Sequence, residues 1–79
     1  MKGVWRSIPL HAVVLEMLSL KGGTALDREL YEAVRMAYDV SWSEFLRTLM
    51  RLELRGLIRV ATAREGTLIV ELVGRGGER

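Results

Sequence analysis

The chain has 79 residues, 49% of them apolar, which suits one small domain and is too short for two. It contains no cysteine and one histidine, so the composition excludes disulfides and thiolate zinc sites and leaves few ligands for any other metal. The net charge of +2 is too small to identify a binding partner by itself.

Sequence signals for export, membrane insertion and catalysis are not recognisable in the chain. No stretch approaches the roughly 20 apolar residues that span a bilayer, and residues 1–6 lack the apolar centre of a signal peptide. There is no glycine-rich phosphate loop, no H-E-x-x-H spacing and no catalytic set of serine, histidine and aspartate. We therefore expect a cytoplasmic protein that contacts no membrane, is not an enzyme and uses no cofactor or metal.

The first predicted helix follows a short N-terminal arm. Ser7 is a suitable capping residue, and Pro9 fits the opening turn, where the amide proton that proline lacks has no helical partner. The glycine pair 22–23 ends the helix. Its apolar residues recur at helical spacing: Leu10, Val13, Val14, Met17 and Leu18. This pattern predicts one helix with a single buried face.

A second helix is predicted to begin at Asp27, which serves as its cap, and to end near Ala37. One face of this helix is apolar and the opposite face is charged. The apolar face comprises Leu30, Val34, Ala37 and Tyr38. The three residues before the helix, 24–26, are compatible with a very short strand.

The clearest helix signals lie between Ser41 and Gly56. Ser41 and Glu44 have the spacing of a capping box, in which each side chain accepts a hydrogen bond from the backbone of the other. Val40 and Phe45 flank the cap at the spacing of a hydrophobic staple. Gly56 ends the helix, because the residue after a helix often adopts the left-handed conformation, which glycine accepts without strain. Arginines in the last turns complement the helix dipole. These signals predict a helix over residues 41–55.

The apolar pattern changes to a period of two after this helix. Residues 57–62 alternate, residues 67–73 are rich in branched side chains, and residues 63–66 between them end in a glycine that can adopt a positive φ. This pattern predicts a β-hairpin. The last segment, 74–79, has three glycines and no apolar residue, and we expect it to be a disordered tail.

Three helices followed by a hairpin resemble a winged helix-turn-helix domain over residues 8–73. Residues 51–58, Arg-Leu-Glu-Leu-Arg-Gly-Leu-Ile, are similar to the end of the recognition helix and the start of the wing in MarR-like and related archaeal and bacterial regulators. Residues 40–43 are similar to the start of that helix. The resemblance implies that the helix over 41–55 lies in the DNA major groove. It also implies that the hairpin tip, 63–66, reaches flanking backbone or the minor groove.

The expected fold class is α+β, mainly α: a three-helix bundle with a C-terminal two-stranded wing and room for a third, very short strand at 24–26. We expect one domain over 1–79, with an arm at 1–6, a core at 7–73 and the tail at 74–79. The resemblance places four residues of the third helix toward the core: Phe45, Thr48, Leu49 and Leu52. Asp39 stands where the family usually has glycine in the turn before the recognition helix.

Positive charge is concentrated in the third helix and the strand after it. Residues 16–44 carry six acids and three bases, whereas residues 47–64 carry five arginines and one glutamate. Arginine suits phosphate and base-edge recognition, although an ordinary solvated helix surface is an equally good interpretation of the three arginines in the helix. The candidate DNA-binding residues are Ser43, Arg47, Met50, Arg51, Arg55, Arg59 and Arg64. Of these, Ser43 and Arg47 are expected nearest the base edges.

An apolar stripe runs along the same helix, with side chains four residues apart, where the family usually has polar readers. It either faces the core or forms an exposed patch that binds a protein partner or a second copy. In the second case the N-terminal arm covers part of the stripe or swaps onto a second subunit. The candidate protein interface comprises Val4, Trp5, Trp42, Leu46, Met50 and Leu54.

Two functions are compatible with this sequence. The first is a small DNA-binding protein, a homodimeric transcriptional regulator that docks the helix over 41–55 and the 63–66 wing on duplex DNA. The alternative is a winged-helix interaction module, or a subunit of a larger assembly, that uses the apolar face of the same helix. His11 and Glu53 are interpreted as structural, with Glu53 pairing an arginine near the helix end.

Overall fold

The computed structural model of the protein describes residues 8–73. They form six elements: helices α1 (Leu10–Leu20), α2 (Asp27–Ala37) and α3 (Trp42–Leu54), and strands β1 (Thr24–Leu26), β2 (Ile58–Thr62) and β3 (Leu68–Leu72). The strands form one antiparallel sheet in the order β1-β3-β2. The protein is therefore a small α+β domain, mostly helical, and each predicted element is present. The predicted arm with Val4 and Trp5, the Ser7 cap and the tail lie outside the described residues.

Helix α1 begins two positions later than the sequence predicts. Pro9 is the N-cap, with an extended conformation (φ −61°, ψ 150°), and is not part of the first turn. Its carbonyl accepts hydrogen bonds from the backbone N–H groups of Ala12 (3.0 Å) and Val13 (3.2 Å). At the other end, Gly22 and Gly23 both have positive φ and close the helix as predicted.

Helix α2 also begins differently from the prediction, because Asp27 is its first helical residue and Leu26 is the N-cap. Leu26 is still paired with Ile69 in the sheet, so the chain passes from strand to helix without a loop. The backbone N–H of Leu26 donates to the Glu29 carboxylate (3.2 Å). Asp27 is 3% exposed, and its carboxylate accepts a hydrogen bond from the backbone N–H of Arg28 (2.7 Å). The first turn of α2 is thus acidic as predicted, but the N-cap is Leu26 and not Asp27.

The predicted ends of α3 are confirmed. The Ser41 hydroxyl accepts a hydrogen bond from the backbone N–H of Glu44 (3.1 Å). The hydrogen bonds within residues 8–73 do not include the return bond, in which the Ser41 backbone N–H would donate to the Glu44 carboxylate, so one half of the predicted capping box forms. Gly56 has φ 79°, and the N–H of Leu57 donates to the carbonyl of Leu52 (3.0 Å), which is the Schellman arrangement.

Strands β2 and β3 form the predicted hairpin, with Val60 opposite Val70 at its centre. Gly66 has a positive φ of 77°, as predicted. Glu65 before it also has a positive φ, 55°, which the sequence did not indicate because glutamate has no particular preference for the left-handed region. Strand β1 pairs with the other edge of β3, which makes the sheet three-stranded.

The core lies between the three helices and one face of the sheet. Its largest fully buried side chains come from every helix and from both hairpin strands: Val13, Val14, Leu18, Leu30, Val34, Phe45, Leu49, Leu52, Ile58 and Val70. The four residues of α3 that were expected to face the core are all buried. None of the helices in residues 8–73 is long and apolar enough to cross a membrane.

Candidate functional site

A groove of about 410 Å³ runs between the first turn of α1 and one side of α3. We call it the arginine groove because three of the side chains that line it are arginines of α3. Its lining residues are Leu10, His11, Glu44, Arg47, Thr48, Arg51, Leu52 and Arg55. The helix therefore presents its arginines to a concave surface that it shares with α1.

The three arginines are on one side of α3 because they are four residues apart, a rise of about 6 Å per step. All three side chains are exposed. None of the side-chain hydrogen bonds within residues 8–73 involves an arginine guanidinium. The guanidinium groups of Arg47, Arg51 and Arg55 are thus available to an external acceptor.

Glu44 is the acidic residue of the groove. Its backbone N–H is bonded to Ser41, and its backbone carbonyl accepts a hydrogen bond from the Thr48 hydroxyl (2.9 Å). Its carboxylate offsets one of the three arginine charges, so the groove keeps a positive excess. Glu44 is at the N-terminal end of α3, which leaves the end near Arg55 the more positive.

Arg59 and Arg64 lie apart from the arginine groove. Ile58 and Val60 pack toward the core, so Arg59 between them lies on the opposite face of the sheet, where Glu71 is its neighbour in the register of β2 and β3. Arg64 is exposed in the turn that joins β2 to β3. The five arginines that the sequence grouped together therefore occupy three surfaces: the groove, the outer face of the sheet and the hairpin tip.

The apolar stripe of α3 divides into two halves. Met50 is 62% exposed and Leu54 is 87% exposed, and Ser43 is exposed on the same outward face. Trp42 and Leu46 are half-buried and pack against the core. One half of the stripe therefore faces the core and the other half is exposed.

Trp42 is covered by an aromatic cluster that the stripe alone did not reveal. Its ring meets that of Tyr31 edge to face at 4.9 Å and that of Phe45 at 5.6 Å. The Tyr31 hydroxyl donates to the backbone carbonyl of Val40 (3.1 Å), and the Arg35 guanidinium lies 5.6 Å from the Tyr31 ring centre. These contacts join α2 to the start of α3, so Trp42 contributes to packing.

Glu53 and His11, the two residues interpreted as structural, lie on different sides of the domain. The Glu53 carboxylate accepts a hydrogen bond from the backbone N–H of Val60 in β2 (3.4 Å), and no side-chain hydrogen bond within 8–73 joins it to an arginine. It lies on the side of α3 nearest the sheet, away from the arginine groove. His11 is exposed and lines the groove, a position that its place in the sequence did not indicate because the groove forms only when α1 packs on α3.

The described residues contain no group of three or more histidine, aspartate and glutamate side chains placed to hold a metal ion. Comparison of the chain with protein-family models, curated proteins and solved structures found no match. The function is therefore argued from the arginines, the groove and the exposed apolar side chains.

Proposed function

We propose that the protein is a winged helix-turn-helix transcriptional regulator that binds duplex DNA through α3 and the hairpin. The observation that carries this proposal is the row of three exposed arginines on one side of α3, without hydrogen-bond partners among residues 8–73. The order of three helices and a hairpin, with β1 completing the sheet, is the order expected of a winged helix. In this assignment α3 is the recognition helix and the hairpin is the wing.

The proposed mechanism is electrostatic docking followed by limited contact with bases. Arg51 and Arg55 neutralise phosphates, and Arg64 at the wing tip contacts the flanking backbone. Ser43 and Arg47 lie near the outward face of α3 and reach base edges. Phosphate contacts set the register of the protein on the duplex, whereas the few base contacts supply sequence preference.

Charge distribution supports one orientation on DNA. The acidic excess of residues 16–44 lies mainly on α1 and α2. The positive excess lies on α3 and the Arg55 that follows it, because Glu65 and Glu71 offset Arg59 and Arg64 within the hairpin. A phosphate backbone attracts the second surface and repels the first, because like charges raise the energy of the complex. The protein is thus expected to approach DNA with α3 forward.

Duplex affinity should fall steeply with salt. If four or five arginines each neutralise one phosphate, the affinity for a random-sequence duplex decreases by about 10²- to 10³-fold between about 50 and about 200 mM salt. Fluorescence anisotropy with a labelled duplex measures this dependence. Absence of binding at the lower salt concentration, or an affinity that does not respond to salt, would contradict the DNA-binding proposal.

A second candidate function is favoured by the exposure of Met50 and Leu54 on the outward face of α3. Apolar side chains in that position suit a contact with another protein or a second copy, which forms the homodimer. Such a contact removes apolar area from water and responds little to salt. It would also cover the face of α3 that the DNA model places against the duplex.

The double substitution Met50→Ser and Leu54→Ser is expected to abolish self-association if this face is the dimer interface. The matched control is Met36→Ser with Leu20→Ser, because those side chains are also exposed, 88% and 70%, but lie on α2 and α1. Sedimentation velocity over a range of concentrations separates monomer from dimer. If the two double variants self-associate to the same extent, Met50 and Leu54 are not part of the dimer interface.

A further inference from the structure

We propose that the arginine groove binds one phosphate group and that His11 is part of this binding site. The inference deepens the DNA-binding proposal and rests on it for the source of the phosphate. The same oxyanion chemistry fits a backbone phosphate of DNA and a soluble phosphate compound. In either case α1 also contacts the ligand. The proposed DNA-binding function by itself assigns contacts only to the recognition helix and the wing.

The groove has the charge and donors that a phosphate requires. Three arginines of α3 line the groove on one side, and His11 of α1 lines it on the other. Each guanidinium presents a planar set of N–H donors that matches two phosphate oxygens at once. Leu10, which is half-buried, adds apolar surface to the lining, and Leu52 is fully buried.

The two ends of α3 differ in how favourably they would bind an anion. The Glu44 carboxylate repels a phosphate at the N-terminal end of the groove. Arg51 and Arg55 lie seven and eleven residues further along, which corresponds to about 10 and 16 Å of helix rise. The phosphate is therefore expected between Arg51, Arg55 and His11, with Arg47 nearer the base edges.

A purely structural role for the last two arginines is less satisfactory. Arginines near a helix C-terminus often complement exposed carbonyl groups and the dipole. In α3 the carbonyls of Leu52 and Glu53 already accept hydrogen bonds from the backbone N–H groups of Leu57 (3.0 Å) and Gly56 (2.9 Å). The guanidinium groups of Arg51 and Arg55 are therefore not needed to cap those carbonyls, and both side chains line the groove.

A phosphate in this groove would touch α1 and α3 together. Because both helices are anchored in the same core, such a contact fixes the tilt of α3 relative to the duplex. Contacts to phosphate position a protein on DNA without reading its sequence. The groove is thus expected to orient the recognition helix, while Ser43 and Arg47 are left to meet the bases.

The test combines a small anion with duplex binding. Pyrophosphate is titrated into the ¹⁵N-labelled protein at constant ionic strength, with chloride as the ionic control, and the side-chain signals of arginine and histidine are followed by NMR. We expect Arg51, Arg55 and His11 to shift together while Arg28 on α2 does not. Equal shifts of all arginine signals would indicate general ionic screening and would overturn the groove proposal.

Duplex binding is measured on the same protein and on two groove variants. Arg55→Gln is expected to weaken binding about tenfold at low salt and to reduce the salt slope by about one. His11→Ala removes one hydrogen-bond donor and is expected to weaken binding about threefold. Arg28→Gln is the matched control, because it removes an exposed positive charge away from the groove. All three changed side chains are exposed, and circular dichroism checks that each variant is folded.

The outcomes separate the groove proposal from the DNA-binding proposal. If the duplex binds but both groove variants bind it as well as the unmodified protein, the groove proposal fails and DNA binding stands. If pyrophosphate shifts the groove signals but no duplex binds, the phosphate site stands with a soluble ligand and DNA binding fails. If pyrophosphate leaves the groove signals unshifted and no duplex binds, both proposals fail.

Discussion

Replacing Arg51 and Arg64 together with glutamine is expected to weaken duplex binding by about a hundredfold at low salt. One arginine lies in the groove of α3 and the other at the hairpin tip, so the change removes a contact from each proposed docking element. Loss of two phosphate contacts should also reduce the slope of log affinity against log salt by about two. Anisotropy titrations at several salt concentrations give both quantities.

The matched control is the pair Arg28→Gln and Arg35→Gln on α2. It produces the same loss of two positive charges on exposed side chains, but on the helix that carries the acidic surface. We expect its affinity to change by no more than about twofold and its salt slope to stay the same. Equal weakening by the two double variants would mean that net charge, and not a docked surface, determines binding.

The ends of a helix could be predicted from the sequence where the residues that determine them lie within one turn of the end. A serine cap, a staple and a C-terminal glycine act within one turn, so Ser41 and Gly56 correctly marked the ends of α3. The predicted start of α1 was wrong by two residues and that of α2 by one. For α2 the reason is tertiary, because pairing of Leu26 with Ile69 in the sheet fixes the residue that precedes the helix.

The candidate site was predictable only in part. The spacing of the arginines in α3 correctly placed them on one side of the helix, since that geometry follows from helical period alone. The groove itself depends on the packing of α1 against α3, and His11 therefore had no local signal. In the same way Tyr31, from another helix, half-covers Trp42, whereas Met50 remains exposed although it lies in the same apolar stripe.

Arg59 lies on a different surface from the arginines of α3, because successive side chains of a β-strand point to opposite faces of the sheet. Along the chain it continues the series of arginines from α3 into the hairpin. In the sheet it lies beside Ile58 and Val60, which face the core, and so it projects from the outer face opposite Glu71. A carboxylate in the opposite position of the register lowers the positive potential around an arginine. Among the five arginines Arg59 is therefore expected to contribute least to duplex affinity.

Leu52→Ala is expected to reduce the free energy of unfolding by about 2–5 kcal/mol, whereas Leu54→Ala should change it by less than about 0.5 kcal/mol. Both substitutions remove the same atoms from the same helix, two residues apart. Leu52 is fully buried and Leu54 is 87% exposed, so only the first leaves a cavity in the core. Urea unfolding followed by circular dichroism measures the difference.

The first change is large relative to the whole domain. A chain of this length has a stability of about 4–12 kcal/mol, so a loss of about 2–5 kcal/mol is a large part of it and is expected to lower the urea midpoint clearly. A small effect of Leu52→Ala would contradict its placement in the core.

Leu54→Ala has a second use, because it leaves the fold intact while removing the most exposed apolar side chain of α3. If it weakens self-association or partner binding without changing stability, the outward face of α3 is an interface. If it changes neither property and duplex binding is retained, the arginine side of the helix is the functional one.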